Sequence, residues 1–212
     1  MLITKIFNVE SAHIVRNCTS KRCAHSIHGH SAKIEVTFEA TELDNAQMVM
    51  DFGLMSNEIK KFIDSMDHCY LLCKYDNPEF KEFIKKSCDR WIELPFNPSA
   101  EMLSMFVMWG VSMILQEMIF NNGEKPISVY SVKYHETASG SATCFKEDMM
   151  SIWNNLEGID DETPFIRFSR QVMTEWDSPA MVEFFTNWTK EDWEMKMFIN
   201  PIVKQQIDLK NK

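Results

Sequence analysis

No apolar stretch of this chain approaches the roughly 18 uncharged residues that a membrane-spanning helix needs, so no membrane partner is expected. The opening residues Met1-Leu2-Ile3-Thr4-Lys5 lack the long apolar core and small-residue cleavage site of a signal peptide, and the expected location is cytoplasmic. Positive charge is also scarce. The 22 Lys and Arg are outnumbered by 31 Asp and Glu, a formal net charge of -9. That argues against nucleic acid as a partner, since such affinity rests on counterion release by Lys and Arg; a local basic pocket is still compatible with it. The pair Cys-x-x-Cys is missing, which removes a zinc ribbon and a redox pair of the usual spacing. The 6 cysteines, Cys18, Cys23, Cys69, Cys73, Cys88 and Cys144, are therefore expected as free thiols, several packed as small apolar groups. There is no internal repeat and no low-complexity tract. What is present is 212 residues with 45% hydrophobic content, enough for one full core and a smaller appendage.

The most telling stretch is Cys23-Ala24-His25-Ser26-Ile27-His28-Gly29-His30. In an extended chain residues i and i+2 share a face, so His28 and His30 can converge on one ion while Gly29 leaves room behind them. His13, at the end of an earlier strand-like segment, is a third donor. Three neutral imidazoles with an open fourth position suit catalytic zinc. Spacing alone equally allows two histidines flanking a glycine turn, with His13 closing a strand. Asp67-His68 sets a carboxylate beside an imidazole, the pieces of an acid-base relay or of an ordinary surface turn. Cys23, near a metal or imidazolium, would yield a usable thiolate base; otherwise it is an idle thiol. Glu136 ends a strand and can accept two hydrogen bonds from the guanidine-like edge of a pterin or guanine, or simply face solvent. A His-Glu-x-x-His helix is absent, which counts against a generic zinc hydrolase.

Strands are expected at roughly 2–9 and 32–41, the second from its alternation of polar with apolar or β-branched residues. A helix follows with Leu54, Ile59, Phe62, Ile63 and Met66 on one face. A second helix starts at Pro98-Ser99-Ala100-Glu101, with Ser99 as N-cap, and runs to about Phe120, where Asn121-Asn122-Gly123 stops it. It is apolar nearly all round from Met102 to Met118, so burial against a sheet and a second subunit is expected. Strands at 127–134 and 142–146 then form a hairpin. The order β-β-α-α-β-β predicts an α+β layer, an antiparallel sheet with two helices on one face. Beyond about Asp148 the chain becomes acidic and aromatic, with helix starts at Ser178-Pro179 and Thr189-Lys190-Glu191-Asp192. Trp153, Trp176, Trp188 and Trp193 argue against wholesale disorder there, although 200–212 is expected to fray.

Several motifs, in this order, resemble the 6-pyruvoyl-tetrahydropterin synthase and 6-carboxy-tetrahydropterin synthase family over residues 1–148. They are Phe7-Asn8-Val9-Glu10-Ser11-Ala12-His13, His28-Gly29-His30, Met48-Val49-Met50-Asp51-Phe52, Met66-Asp67-His68-Cys69-Tyr70-Leu71, Asn97-Pro98-Ser99-Ala100-Glu101 and Val132-Lys133-Tyr134-His135-Glu136-Thr137. The resemblance implies a tunnelling fold (T-fold) assembled as a homo-oligomer, a trimer or hexamer, with sites at subunit interfaces. It implies zinc on His13, His28 and His30, a catalytic Cys23 with Cys18 as fallback, an Asp67-His68 relay, Glu136 anchoring a pterin and Ser99 close to that ring. His25 is then a bystander.

The expected reaction is that of a lyase of the bacterial 6-carboxy branch. It converts 7,8-dihydroneopterin triphosphate to 6-carboxy-5,6,7,8-tetrahydropterin, with release of acetaldehyde and triphosphate, in 7-deazaguanine (queuosine) biosynthesis. Arg16, Lys21 and Arg22 are candidates to receive the triphosphate in a protein otherwise short of positive charge. Retention of the side-chain carbons by a 6-pyruvoyl enzyme, and a non-catalytic zinc- or pterin-binding module, are the competing readings. Residues 149–212, mostly helical by pattern, form an extension to which no family residue carries over.

Overall fold

The structure is a computed structural model that describes residues 1–154 and 166–187. Strand β1 (Leu2–His13) and strand β2 (His28–Ala40) pair antiparallel along their whole length, from Leu2 opposite Glu39 to His13 opposite His28. The alternation read in β2 is real: Ala32, Ile34, Val36 and Phe38 point into the core, while the residues between them are more accessible. Both strands exceed the expected ranges, because the register carries pairing out to the histidines. Strand β5 (Ile127–His135) pairs antiparallel with β2, and strand β6 (Ser141–Phe145) pairs antiparallel with β5. Thr137 closes their hairpin by accepting the Gly140 N–H at 2.9 Å.

The sheet has seven strands in the order β6-β5-β2-β1-β3-β4-β7 and is not wholly antiparallel, a correction to the sequence expectation. Strand β3 (Cys69–Cys73) and strand β4 (Trp91–Leu94) run parallel to β1 and to each other. Helix α3 (Pro78–Ser87) connects them, as parallel neighbours require a crossover. Its start is conventional: Asn77 accepts the N–H groups of Glu79 and Phe80, and Pro78 fills the first turn. All five residues of β3 are buried, so it shows no alternation from which a strand could be read.

Helix α1 (Lys21–His25), a 3₁₀ turn (Leu54–Ser56), helix α2 (Glu58–Asp64) and helix α4 (Ala100–Glu117) complete this part of the molecule. Ser99 caps α4, accepting the Met102 N–H at 3.4 Å. Helix α2 crosses α4 at Gly110, where a Cβ would lie 2.0 Å from the Phe62 ring.

The described part of the extension comprises helix α5 (Lys146–Asn154), strand β7 (Arg167–Phe168), helix α6 (Arg170–Glu175) and helix α7 (Pro179–Thr186). β7 pairs antiparallel with β4 at the sheet edge. Phe168, Val172, Trp176, Met181 and Phe185 are buried in the same core as α2 and α4, and Phe185 stacks on Phe62 with ring centroids 5.0 Å apart. Within the chain the extension packs on the apolar α4, Phe185 meeting Trp109 with ring centroids 5.7 Å apart, a long-range packing that local apolarity cannot foretell. The helix start expected at Ser178-Pro179 is α7; Trp188, Trp193, the start at Thr189 and the stretch 200–212 lie outside the described residues. Among the described residues no helix is long and apolar enough to cross a membrane.

Candidate active site

Antiparallel pairing builds the site. His13 stands opposite His28, and Ser11 opposite His30; directly opposed residues share a sheet face, as do residues two apart. All three imidazoles therefore point the same way at the end of the β1–β2 ladder. Their ligand atoms lie within 4.8 Å of one another, and their ring centroids are 4.6, 5.2 and 5.1 Å apart. Gly29 points away, where a Cβ would meet the Ser11 carbonyl oxygen at 3.0 Å.

The electrostatics favour a neutral His13. Burial, followed by the nearby charges His28 and His30 would carry, lowers the His13 pKa to about 4, against a hydrogen bond to the Pro98 carbonyl that raises it. The His28 Nδ1 lies 3.0 Å from the Ser26 carbonyl oxygen. Backbone carbonyls thus engage two of the rings, the kind of outer contact that fixes a metal-binding imidazole. The buried His13 Nε2 has no hydrogen-bond partner, a cost that a metal ion at the centre of the triad would relieve. Three imidazole nitrogens with these supports fit zinc.

Tertiary bracing explains how Pro98 reaches His13. Asn97 accepts the Arg16 N–H at 2.9 Å and donates to the Arg16 carbonyl at 2.5 Å, tying the chain beyond β1 to the start of α4. Ser99 is thereby placed one residue from the Pro98 carbonyl. Glu136 extends beyond β5 to the triad, its Oε1 3.6 Å from His13 Nε2 and 3.8 Å from His30 Nε2. Beside it, Tyr134 hydrogen-bonds Ser11, and burial pushes the phenol up to about 12, so it stays protonated.

Asp67 and His68 form a hydrogen-bonded dyad, Oδ2 to Nδ1 at 2.9 Å. The other Asp67 oxygen accepts the Glu10 N–H at 2.7 Å, and the His68 N–H donates to the Glu10 carbonyl at 2.6 Å. Burial raises the Asp67 pKa, but the Glu10 N–H, the His68 ring and the Arg90 charge outweigh it and hold the carboxyl below its ordinary value. His68 and Arg90 border an open cleft of about 650 Å³, which His30 also lines. Among the described residues no hydrogen bond or ring contact joins His68 directly to the triad.

The remaining candidates are dispersed. Cys23 lies on α1, half-buried, and is a free thiol; Cys18, also free, donates to the Ser20 carbonyl. Lys21, Arg22 and His25 are exposed on α1. Arg16 is committed elsewhere: its Nε meets the buried Asp76 at 2.6 Å, its Nη1 the Ala24 carbonyl at 3.2 Å, and its guanidinium lies over Phe80. Sequence reasoning missed Glu10 as the anchor of the dyad, Pro98 and Ser26 as holders of the rings, and Arg90. Glu10, Ser26 and Pro98 all stand in the quoted motifs but act through backbone groups, which residue type does not reveal, and Arg90 acts through distant contacts.

A family model described as 6-pyruvoyl tetrahydropterin synthase matches residues 2–147. A Helicobacter pylori protein named 6-carboxy-5,6,7,8-tetrahydropterin synthase is 42% identical over 149 residues, 70% of this chain and 74% of that one. An Aquifex aeolicus protein of the same name is 32% identical over 162 residues, covering 69% of this chain and 98% of the relative. A crystal structure of an uncharacterized protein from Wolinella succinogenes, 23% identical, superimposes with a TM-score of 0.53 over 68% of this chain and 97% of its own.

Proposed function

Because the chain belongs to the 6-pyruvoyl tetrahydropterin synthase family, with residues 2–147 matched, we propose that it is a zinc-dependent lyase of the 6-carboxy-5,6,7,8-tetrahydropterin synthase type. The observation that carries the reading is the convergence of His13, His28 and His30 within 4.8 Å. The choice of product rests on the name shared by the relatives from Helicobacter pylori and Aquifex aeolicus. The substrate is 7,8-dihydroneopterin triphosphate; it and one water give 6-carboxy-5,6,7,8-tetrahydropterin, acetaldehyde and triphosphate. No external electron carrier is required, because the ring gains the electron pair that the side chain loses. The product would enter 7-deazaguanine (queuosine) biosynthesis in the cytoplasm.

Zinc on the three histidines would supply Lewis acidity toward the substrate's side-chain hydroxyls. Cys23, as thiolate, takes a proton from a side-chain carbon. His68, oriented by Asp67, returns a proton elsewhere on the substrate. Glu136 accepts hydrogen bonds from the pterin ring edge, with Ser99 close by, and Lys21 and Arg22 receive the triphosphate. Arg16, held by Asp76, contributes by fixing the loop more than by free charge. A homo-oligomer, trimer or hexamer, completes the proposal: the dyad of one copy serves the triad of another. One feature supports it, the 50% exposure of both Leu2 and Ile6 on β1.

Incubating the zinc-loaded protein with 7,8-dihydroneopterin triphosphate and identifying the pterin and any aldehyde tests the reading. Acetaldehyde with 6-carboxy-tetrahydropterin is expected. Retention of all side-chain carbons would assign a 6-pyruvoyl enzyme instead, and pterin binding without turnover a binding module.

A further inference from the structure

The turn that carries the acid-base dyad is conformationally expensive. His68 has φ of 50°, in the left-handed region that a non-glycine residue enters only when its surroundings hold it there. Two main-chain contacts with Glu10 support it on one side. On the other side lies Arg90, just before β4. Its Nε donates to the Asp67 carbonyl at 2.9 Å, and its Nη2 donates to the carbonyls of Asp64 at 2.8 Å and Ser65 at 3.4 Å. One guanidinium thus spans the whole connection from α2 to the dyad, which suits its rigid fork of donors.

The remaining arm of that guanidinium, Nη1, forms an ion pair with Glu175. Glu175 is the last residue of α6, beyond residue 147 where the family match ends. Its position is secured: Gln171 donates to its Oε1 at 2.8 Å, Trp176 beside it is buried, and β7 pairs with β4 at Phe168 opposite Ile92. The Asp67 carboxylate is already engaged by Glu10 and His68, so Glu175 is the carboxylate that orients Arg90.

We infer that Arg90 and Glu175 are positioning residues for the Asp67-His68 dyad, through which the C-terminal extension sets the geometry of the acid-base relay. The relay's chemical role rests on the function proposed above; the positioning itself does not.

Full-length Glu175→Gln and Arg90→Lys proteins test it by two readouts. Hydrogen exchange of the His68 amide, protected by its bond to the Glu10 carbonyl, should accelerate about tenfold in each variant while the core amides of β2 stay as slow as in the wild type. With 7,8-dihydroneopterin triphosphate, kcat should fall about tenfold at unchanged KM and zinc content, as expected for a misplaced catalytic group. Glu175→Asp should recover part of the loss, and Glu175→Gln should add nothing in the Arg90→Lys background. Wild-type exchange at His68 in Glu175→Gln, equal acceleration at His68 and in β2, or independent multiplicative losses would each overturn the inference. A wild-type protein without turnover would sink the proposed function alone, and the exchange measurement would still decide the positioning.

Discussion

His13 is the residue through which pH enters the fold of the metal-free protein. Its folded pKa of about 4 lies below the ordinary 6.5, so between those values the unfolded chain binds more protons than the native one. Stability contributed by the neutral ring is then complete above about pH 6.5 and is lost as pH falls toward 4, a loss on the order of 3 kcal/mol. Urea unfolding of the metal-free protein at pH 7 and pH 5 should show the decline, and His13→Asn, which does not titrate there, should lack it. The triad and the base are separable by substitution. His28→Ala should lose bound zinc, read by metal analysis. Cys23→Ala should retain zinc but lose turnover by at least roughly 100-fold; Cys18→Ala should keep both, and the opposite pattern would move the base to Cys18.

Among the elements, α4 illustrates what local pattern can and cannot convey. Its Ser99 cap and its apolar run were legible because both depend on neighbours in sequence. The partner of its outer face was not, since Phe62 and Phe185 arrive from distant segments. Packing there leaves no slack at Gly110, where an added Cβ would strike the Phe62 ring. Gly110→Ala should therefore cost about 1–3 kcal/mol through overpacking, seen as a fall in Tm of about 2–4 °C for each kcal/mol in a chain of this size. The β3-α3-β4 crossover carries local signals of its own. Asn77-Pro78-Glu79 is a strong helix start, and Tyr70-Leu71-Leu72-Cys73 is a short apolar run of the kind a buried parallel strand shows.

In the whole molecule, the extension is part of the core. Phe185 contacts the rings of Phe62, Trp109, Phe168 and Trp176, so Phe185→Ala should destabilise the full chain by about 3–5 kcal/mol, measurable by urea unfolding. The sequence by itself determined the family, through motifs in a fixed order, and singled out the three histidines and the dyad as candidates; His28-Gly29-His30 and Asp67-His68 rest on short spacings whose geometry follows from strand alternation or adjacency, while His13 joins them only through the β1–β2 register. Only the tertiary structure decided which groups hold them: Pro98 on His13, Glu10 and Arg90 on the turn of His68, Glu175 on Arg90, and the chain's own tail over α4. The physical reason is that these are contacts between backbone carbonyls, charges and aromatic faces far apart in sequence. Nothing in the local pattern of either partner specifies the other, and the fold alone brings them within bonding distance.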